Sequence, residues 1–298
     1  ANYYDKYEPT ITSYDYNALL SEAGDLTPAY FEVRKIIEER FGKLPELTVK
    51  NSNKKAYGKL ELTERCTIFE ALDNLSAPVH RPSPEFTEEI GQYQGFTLYS
   101  TTVDGPRDEN EIQFDAVHDR AVVFIDGEYK GYYEHSREGE PVRFSLKKGE
   151  SCRLDILCEN MGRVNYGPRI TQRKGIKGVR FGLQYHFGWD MYPMPLDDIS
   201  KLRFSEGAGE VNVASFLRGT LNITDTPCDT FVRLDGFTKG VVFVNGFNIG
   251  RYFNPAGPQK TLYVPAPMLR QGENEVVVFE TDRSDRSYVT FLDKPDLG

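Results

Sequence analysis

Histidine and cysteine are scarce in this chain, and their spacing settles several chemistries at once. The four histidines, His80, His118, His135 and His186, and the four cysteines, Cys66, Cys152, Cys158 and Cys228, form no H-E-x-x-H and no C-x-x-C pattern. Neither a metal site nor a cofactor is therefore expected. No glycine-rich loop follows a strand in the manner that cradles phosphate. Glycoside hydrolysis needs two carboxylates flanking a bond, and nucleophilic catalysis needs a base beside Ser or Cys; neither pairing stands out. The segment with most chemical potential is Glu159-Asn160-Met161-Gly162-Arg163-Val164-Asn165-Tyr166-Gly167, which packs polar, aromatic and glycine residues behind an apolar run. Loops of that composition on rigid scaffolds often bind ligands. The alternative is a wide turn whose Asn and Glu side chains bond nearby backbone. A second aromatic-dense stretch, Tyr185 to Tyr192, holds the only tryptophan, Trp189, and reads as core or interdomain packing before it reads as a sugar platform.

The elements that must position these residues are mostly strands. Short alternating segments such as Lys59–Thr63, Phe96–Tyr99, Arg120–Ile125, Arg153–Leu157 and Glu275–Phe279, broken by Gly, Pro and Asp, have the spacing of β-sandwiches. A repeat supports two of them. Val122-Val123-Phe124-Ile125-Asp126-Gly127, then Gly131-Tyr132-Tyr133, returns 119 residues later as Val241-Val242-Phe243-Val244-Asn245-Gly246, then Gly250-Arg251-Tyr252. Asp-Gly and Asn-Gly between apolar runs are hairpin signals. Gly149-Glu150 and Gly272-Glu273 continue the echo. The opening differs: Thr10 to Tyr16 reads as a short strand, and Thr27-Pro28 begins a helix whose Phe31, Val33, Ile36, Ile37 and Phe41 keep helical spacing as far as Gly42. Such a unit cannot bury its own faces and calls for polypeptide preceding Ala1. Three prolines within Ser76 to Pro84 suggest a linker. Cys152 and Cys158 share a strand face, and all four cysteines read as reduced, buried thiols.

The chain has 298 residues and a net charge of −9, with a pI near 5.2. An acidic surface argues against nucleic-acid partners, because phosphate neutralisation needs clustered Lys and Arg. No apolar run approaches the roughly 18 residues that a membrane span requires, so no membrane partner is expected. Few cysteines lean towards the cytoplasm, although the start at Ala1 leaves the compartment open.

Thr12 to Ala18 and Leu20 to Thr27 resemble the end of the barrel in glycoside hydrolase family 35 β-galactosidases. Cys158 to Gly167, Lys174-Gly175-Ile176, Lys239 to Tyr252 and Gly257 to Pro265 resemble the C-terminal half of the same family, in order and over nearly the whole chain. The resemblance implies a mainly β protein: two jelly-roll, galactose-binding-like sandwiches preceded by the last β-α unit of a (β/α)₈ barrel. Residues 1–43 would be that barrel remnant, 44–84 a connecting segment with strands that could join the second sandwich, 85–198 the first sandwich and 199–298 the second. It implies that both catalytic glutamates lie upstream, leaving no catalytic residue here. Asn110-Glu111 matches the family's Asn-Glu acid/base dipeptide only superficially, since it sits between a turn and a sandwich strand. The carry-over gives Tyr16 as a tyrosine contacting galactose at the barrel rim and Tyr166 as an aromatic bordering the aglycone side. Asp15, Glu159, Asn160 and Arg163 support the site, with Asn17 standing where the family usually has Asp. The partners implied are a galactoside held by the missing barrel, the rest of the parent chain, and a further copy in a homo-oligomer. A stand-alone carbohydrate-binding or oligomerisation module is the alternative.

Overall fold

The computed structural model describes all residues except Tyr14, Tyr16 and Ala208. It is mainly antiparallel β and divides into two compact units. The first comprises Ala1–Thr10, Cys66–Arg203 and Asn212–Ser215; the second comprises Ile11–Arg65, Phe204–Val211 and Phe216–Gly298.

In the first unit a six-stranded sheet runs in the order Glu128–Glu134, Arg120–Ile125, Ser151–Glu159, Phe96–Asp104, Trp189–Met194, Val79–Arg81. Period-two alternation puts Tyr99, Val103, Leu154, Ile156, Cys158, Trp189 and Met191 on one face. They form the core with Ile112, Val142, Ile176 and Phe181. Trp189 is fully buried, which makes it packing rather than platform. Cys152 and Cys158 join the same cluster as free thiols; Cys66 is buried, but Cys228 is only half-buried, unlike the uniform burial expected. The proline-rich segment is not a linker. Val79–Arg81 pairs with Trp189–Met191 as an edge strand, a position where flanking Pro78 and Pro82 cost no ladder hydrogen bond.

The second unit carries neighbouring strands Ser215–Ile223, Gly272–Glu280, Lys239–Val244 and Phe247–Phe253, opposite a sheet ordered Thr261–Val264, Thr230–Arg233, Tyr288–Leu292, Gly58–Glu61. Leu217, Val232, Val242, Val276, Val278 and Phe291 fill the space between.

The repeat is structural down to its hydrogen bonds. Asp126 and Asn245 both take left-handed φ, 52° and 50°, ahead of Gly127 and Gly246. Short polar side chains tolerate that region when they bond locally. Here each bonds the neighbouring strand: Arg153 N–H donates to Asp126 Oδ1 at 2.8 Å, and Glu275 N–H to Asn245 Oδ1 at 3.0 Å. Each return strand then shifts register at a glycine, Gly131 or Gly250. A Cβ on Gly131 would sit 2.2 Å from the carbonyl oxygen of Glu140.

The opening segment departs from expectation. None of residues 10–13 and 15 lies in a strand. Local bonds prevail there: Asp15 N–H donates to Ser13 Oγ at 3.2 Å, Ala18 N–H donates to the Asp15 carbonyl at 3.3 Å, and Asn17 is left-handed at 52°. The helix forms at Pro28–Phe41 and stops at Gly42. Thr27 occupies its N-cap, but its hydroxyl donates to the Ala18 carbonyl at 2.7 Å instead of capping. The helix buries no residue, leaving Ile36 63% and Phe41 81% exposed.

Asp126→Ala and Asn245→Ala should each destabilise by about 1–3 kcal/mol, since each orphans a strand N–H and strains a left-handed turn. Urea denaturation midpoints check this; an unchanged midpoint in both would mean that the glycines alone set the turns.

Candidate functional site

The loop 159–167 leaves the central strand Ser151–Glu159, and its own backbone is pinned from below. Glu159, at its start, is buried. Met161 N–H donates to Asp119 Oδ2 at 2.8 Å, and Tyr7 OH donates to the Gly162 carbonyl at 2.6 Å. Asn160 donates through Nδ2 to the Tyr93 carbonyl at 3.0 Å and accepts Gly162 N–H at 3.0 Å. Arg163 pairs with Glu88 and donates to the Tyr93 carbonyl at 3.0 Å.

Underneath sits an ion pair without solvent contact. Lys174 Nζ lies 2.7 Å and 2.9 Å from the two oxygens of Asp119, and both residues are fully buried. Lys174 also stands 4.4 Å from the centre of the Tyr7 ring, a cation-π contact, and that ring stacks on His135 at 5.6 Å. Burial by itself pushes the Asp119 carboxyl up. His135 and Lys174 more than offset it and hold the group below the ordinary carboxylate range. His118 and His135, 17 positions apart and isolated by spacing, come within 4.9 Å ring to ring. Burial lowers the pKa of His118. Among the described residues no group of three His, Cys, Asp or Glu could hold a metal ion.

Above these pins the loop presents Tyr166, 50% exposed, whose hydroxyl is hydrogen-bonded to that of Tyr4, 69% exposed; the rings meet edge to face at 5.9 Å. An aromatic pair standing on a rigid base can stack on the apolar face of a sugar, an interaction of about 0.5–1.5 kcal/mol beyond area burial.

The comparisons with known proteins bear on what such a loop serves. Residues 1–40 match "Glycosyl hydrolases family 35", residues 84–195 match "Beta-galactosidase, first all-beta domain", and residues 214–274 match "Beta-galactosidase, galactose-binding domain". The three matches follow one another along the chain, and together they make it resemble the C-terminal portion of a glycoside hydrolase family 35 protein. Proteins named beta-galactosidase are similar to it along nearly its whole length: that of Macaca fascicularis is 36% identical over 96% of this chain and 46% of its own length. Beta-galactosidase 1 of Dictyostelium discoideum is 34% identical over 97% and 48%, and the Homo sapiens protein 35% identical over 96% and 47%. The chain thus spans about half the length of the curated relatives it matches.

Of the site residues read from sequence, Glu159, Asn160, Arg163 and Tyr166 come together in one loop. Asp15 lies in a local turn of the other unit, and Tyr16 falls outside the described residues. Glu111 faces Arg143 across a strand pair as an ion pair at 3.0 Å. Sequence reasoning missed Tyr4, Tyr7, Asp119 and Lys174. One signal was available: Asp119 and Arg120 are charges placed at the head of an all-apolar strand, and Lys239 holds the corresponding place in the second copy of the repeat, also buried.

Lys174→Met should cost about 3–5 kcal/mol, because it strands a buried carboxylate. Thermal unfolding tests this, and a Tm within a degree or two of the parent would refute it. For pH the sign follows from the lowered folded-state pKa of Asp119: its contribution is complete above the ordinary carboxylate range and disappears as pH falls below about 4. Stability of Asp119→Asn, although lower throughout, should therefore decline less steeply than the parent's in that window.

Proposed function

We propose that this chain is the supporting, non-catalytic part of a retaining β-galactosidase that hydrolyses terminal β-linked galactose from oligosaccharides or glycoconjugates. The observation that carries the reading is the alignment of about 35% identity to proteins named beta-galactosidase over nearly all of this chain but only about half of theirs. In such an enzyme two carboxyl groups lie about 5 Å apart: one attacks the anomeric carbon while the other protonates the departing oxygen, and water activated by the second then hydrolyses the galactosyl-enzyme bond. Those groups would lie in the barrel outside this sequence, and Glu111 is spoken for by Arg143.

Three features fit a supporting role. The helix Pro28–Phe41 carries Phe31, Val33, Ile36, Ile37 and Phe41 without burying any, so this apolar stripe awaits polypeptide to cover it; the rest of the parent chain is the proposed partner. Tyr16, on the segment resembling the barrel rim, would contact galactose, with Asp15 shaping the turn beside it. Tyr166, with Tyr4, would border the aglycone, on a loop fixed by Asn160, Arg163 and the buried ion pair.

The purified chain should show no turnover of 4-nitrophenyl β-galactoside. Turnover abolished by Glu111→Gln would overturn the reading. In the full-length parent, Tyr166→Ala should raise KM by about three- to tenfold with kcat little changed, the mark of lost uniform binding.

A further inference from the structure

A second candidate site lies in the first unit, on the face of the six-stranded sheet that points away from the core. Along the strand Phe96–Asp104, Tyr99 and Val103 face inward, so Ser100 and Thr102 face out. That outer face changes character along its length. At one end Leu98, Phe124 and Leu157 are buried, with Phe69 of the helix Ile68–Leu75 edge-on to Phe124 at 5.6 Å. At the other end an open cleft of about 530 Å³ is lined by Ser100, Thr102, Arg153, Phe187 and Tyr192, with Asp73 and Asp190 also on its wall. That volume falls in the range of small-molecule sites.

The cleft is built on rigid parts. Asp155, directly across from Ser100 in the strand register and fully buried, accepts Arg153 Nε–H on Oδ1 at 3.0 Å, with Oδ2 also 3.0 Å from that nitrogen. Arg153 also stacks over the Phe69 ring at 5.3 Å. The guanidinium is thereby oriented in advance, and neither of its terminal nitrogens makes a hydrogen bond among the described residues. Phe187 is 65% exposed and has no ring partner among the described residues.

The charges narrow the ligand class. Asp73, Asp190, whose Oδ1 lies 3.1 Å from His80 Nδ1, and the underlying Asp155 outnumber Arg153, which disfavours an anion, while a central guanidinium disfavours a cation. Hydroxyl and charged groups make up most of the lining, which disfavours a wholly apolar guest. A neutral polyol with one apolar face remains: its C–H face covers Phe187, and adjacent hydroxyls bridge a fixed guanidinium and a carboxylate. We propose that this cleft is a saccharide-binding subsite, with Phe187 as platform and Arg153 and Asp190 as hydrogen-bonding partners. It goes beyond the reading given above, because it uses neither Tyr166 nor Tyr4.

Calorimetric titration of the purified full chain with galactose and with lactose tests it, with galacturonate and spermidine as charged comparators. Both neutral sugars should bind, and the comparators should not. Phe187→Ala, at an exposed position, should weaken binding by about tenfold or more. Arg153→Gln should do the same, whereas Phe247→Ala, comparably exposed in the other unit, should leave it unchanged. Circular dichroism confirms that each variant is folded. No binding by the parent chain, or equal binding by Phe187→Ala, overturns the subsite. Loss only in Tyr166→Ala also overturns it, and would assign the sugar to the tyrosine pair. A negative titration leaves the supporting role untouched, since that role is read out by turnover.

Discussion

The fully buried pair of Lys174 and Asp119 is the constraint on which the candidate site depends. Two charges without water are costly to bury, and the cost is offset only by good mutual geometry and further hydrogen bonds. Here Asp119 takes Lys174 on both oxygens and the Met161 amide on one of them, while Lys174 adds the Tyr7 ring. The pair does more than satisfy itself. Through Met161 and through the Tyr7 hydroxyl on Gly162 it grips the loop backbone at two successive residues, and the exposed tyrosine pair stands on that grip. An apolar replacement of similar volume could match its stability but not its aim.

How much of this was legible in the sequence depends on how local the deciding interaction is. The two hairpins were readable because Asp126-Gly127 and Asn245-Gly246 need only themselves to turn the chain. The helix Pro28–Phe41 was readable from period and punctuation. Among its described residues the strand expected at 10–16 failed for the same reason in reverse: propensity pointed one way, while Ser13, Asp15 and Asn17 had local bonds and a left-handed turn to offer. Val79–Arg81 shows the opposite error, since prolines that mark linkers are also what an edge strand tolerates.

The ion pair was not legible, because its partners are 55 positions apart and Tyr7 meets Gly162 across 155. No periodicity links such residues; only the folded sheet does. The resemblance to family 35 quoted Lys174 without saying what it holds, and the loop residues it named, Glu159 to Tyr166, are those that the buried pair and its neighbours set in place. Tyr4, the other half of the exposed pair, gave no signal, since its segment carries nothing that marks it as part of a site.

Hydrogen–deuterium exchange at the Met161 and Gly162 amides reads out whether the buried pair holds the loop. Loop amides ordinarily exchange through cheap local opening, whereas amides tied to a core exchange only when the core opens. Met161 should exchange as slowly as its neighbours in the strand Ser151–Glu159, and become fast in Lys174→Met under conditions where that strand stays protected. Fast exchange at Met161 in the parent chain, with the strand protected, would contradict that hold on the loop.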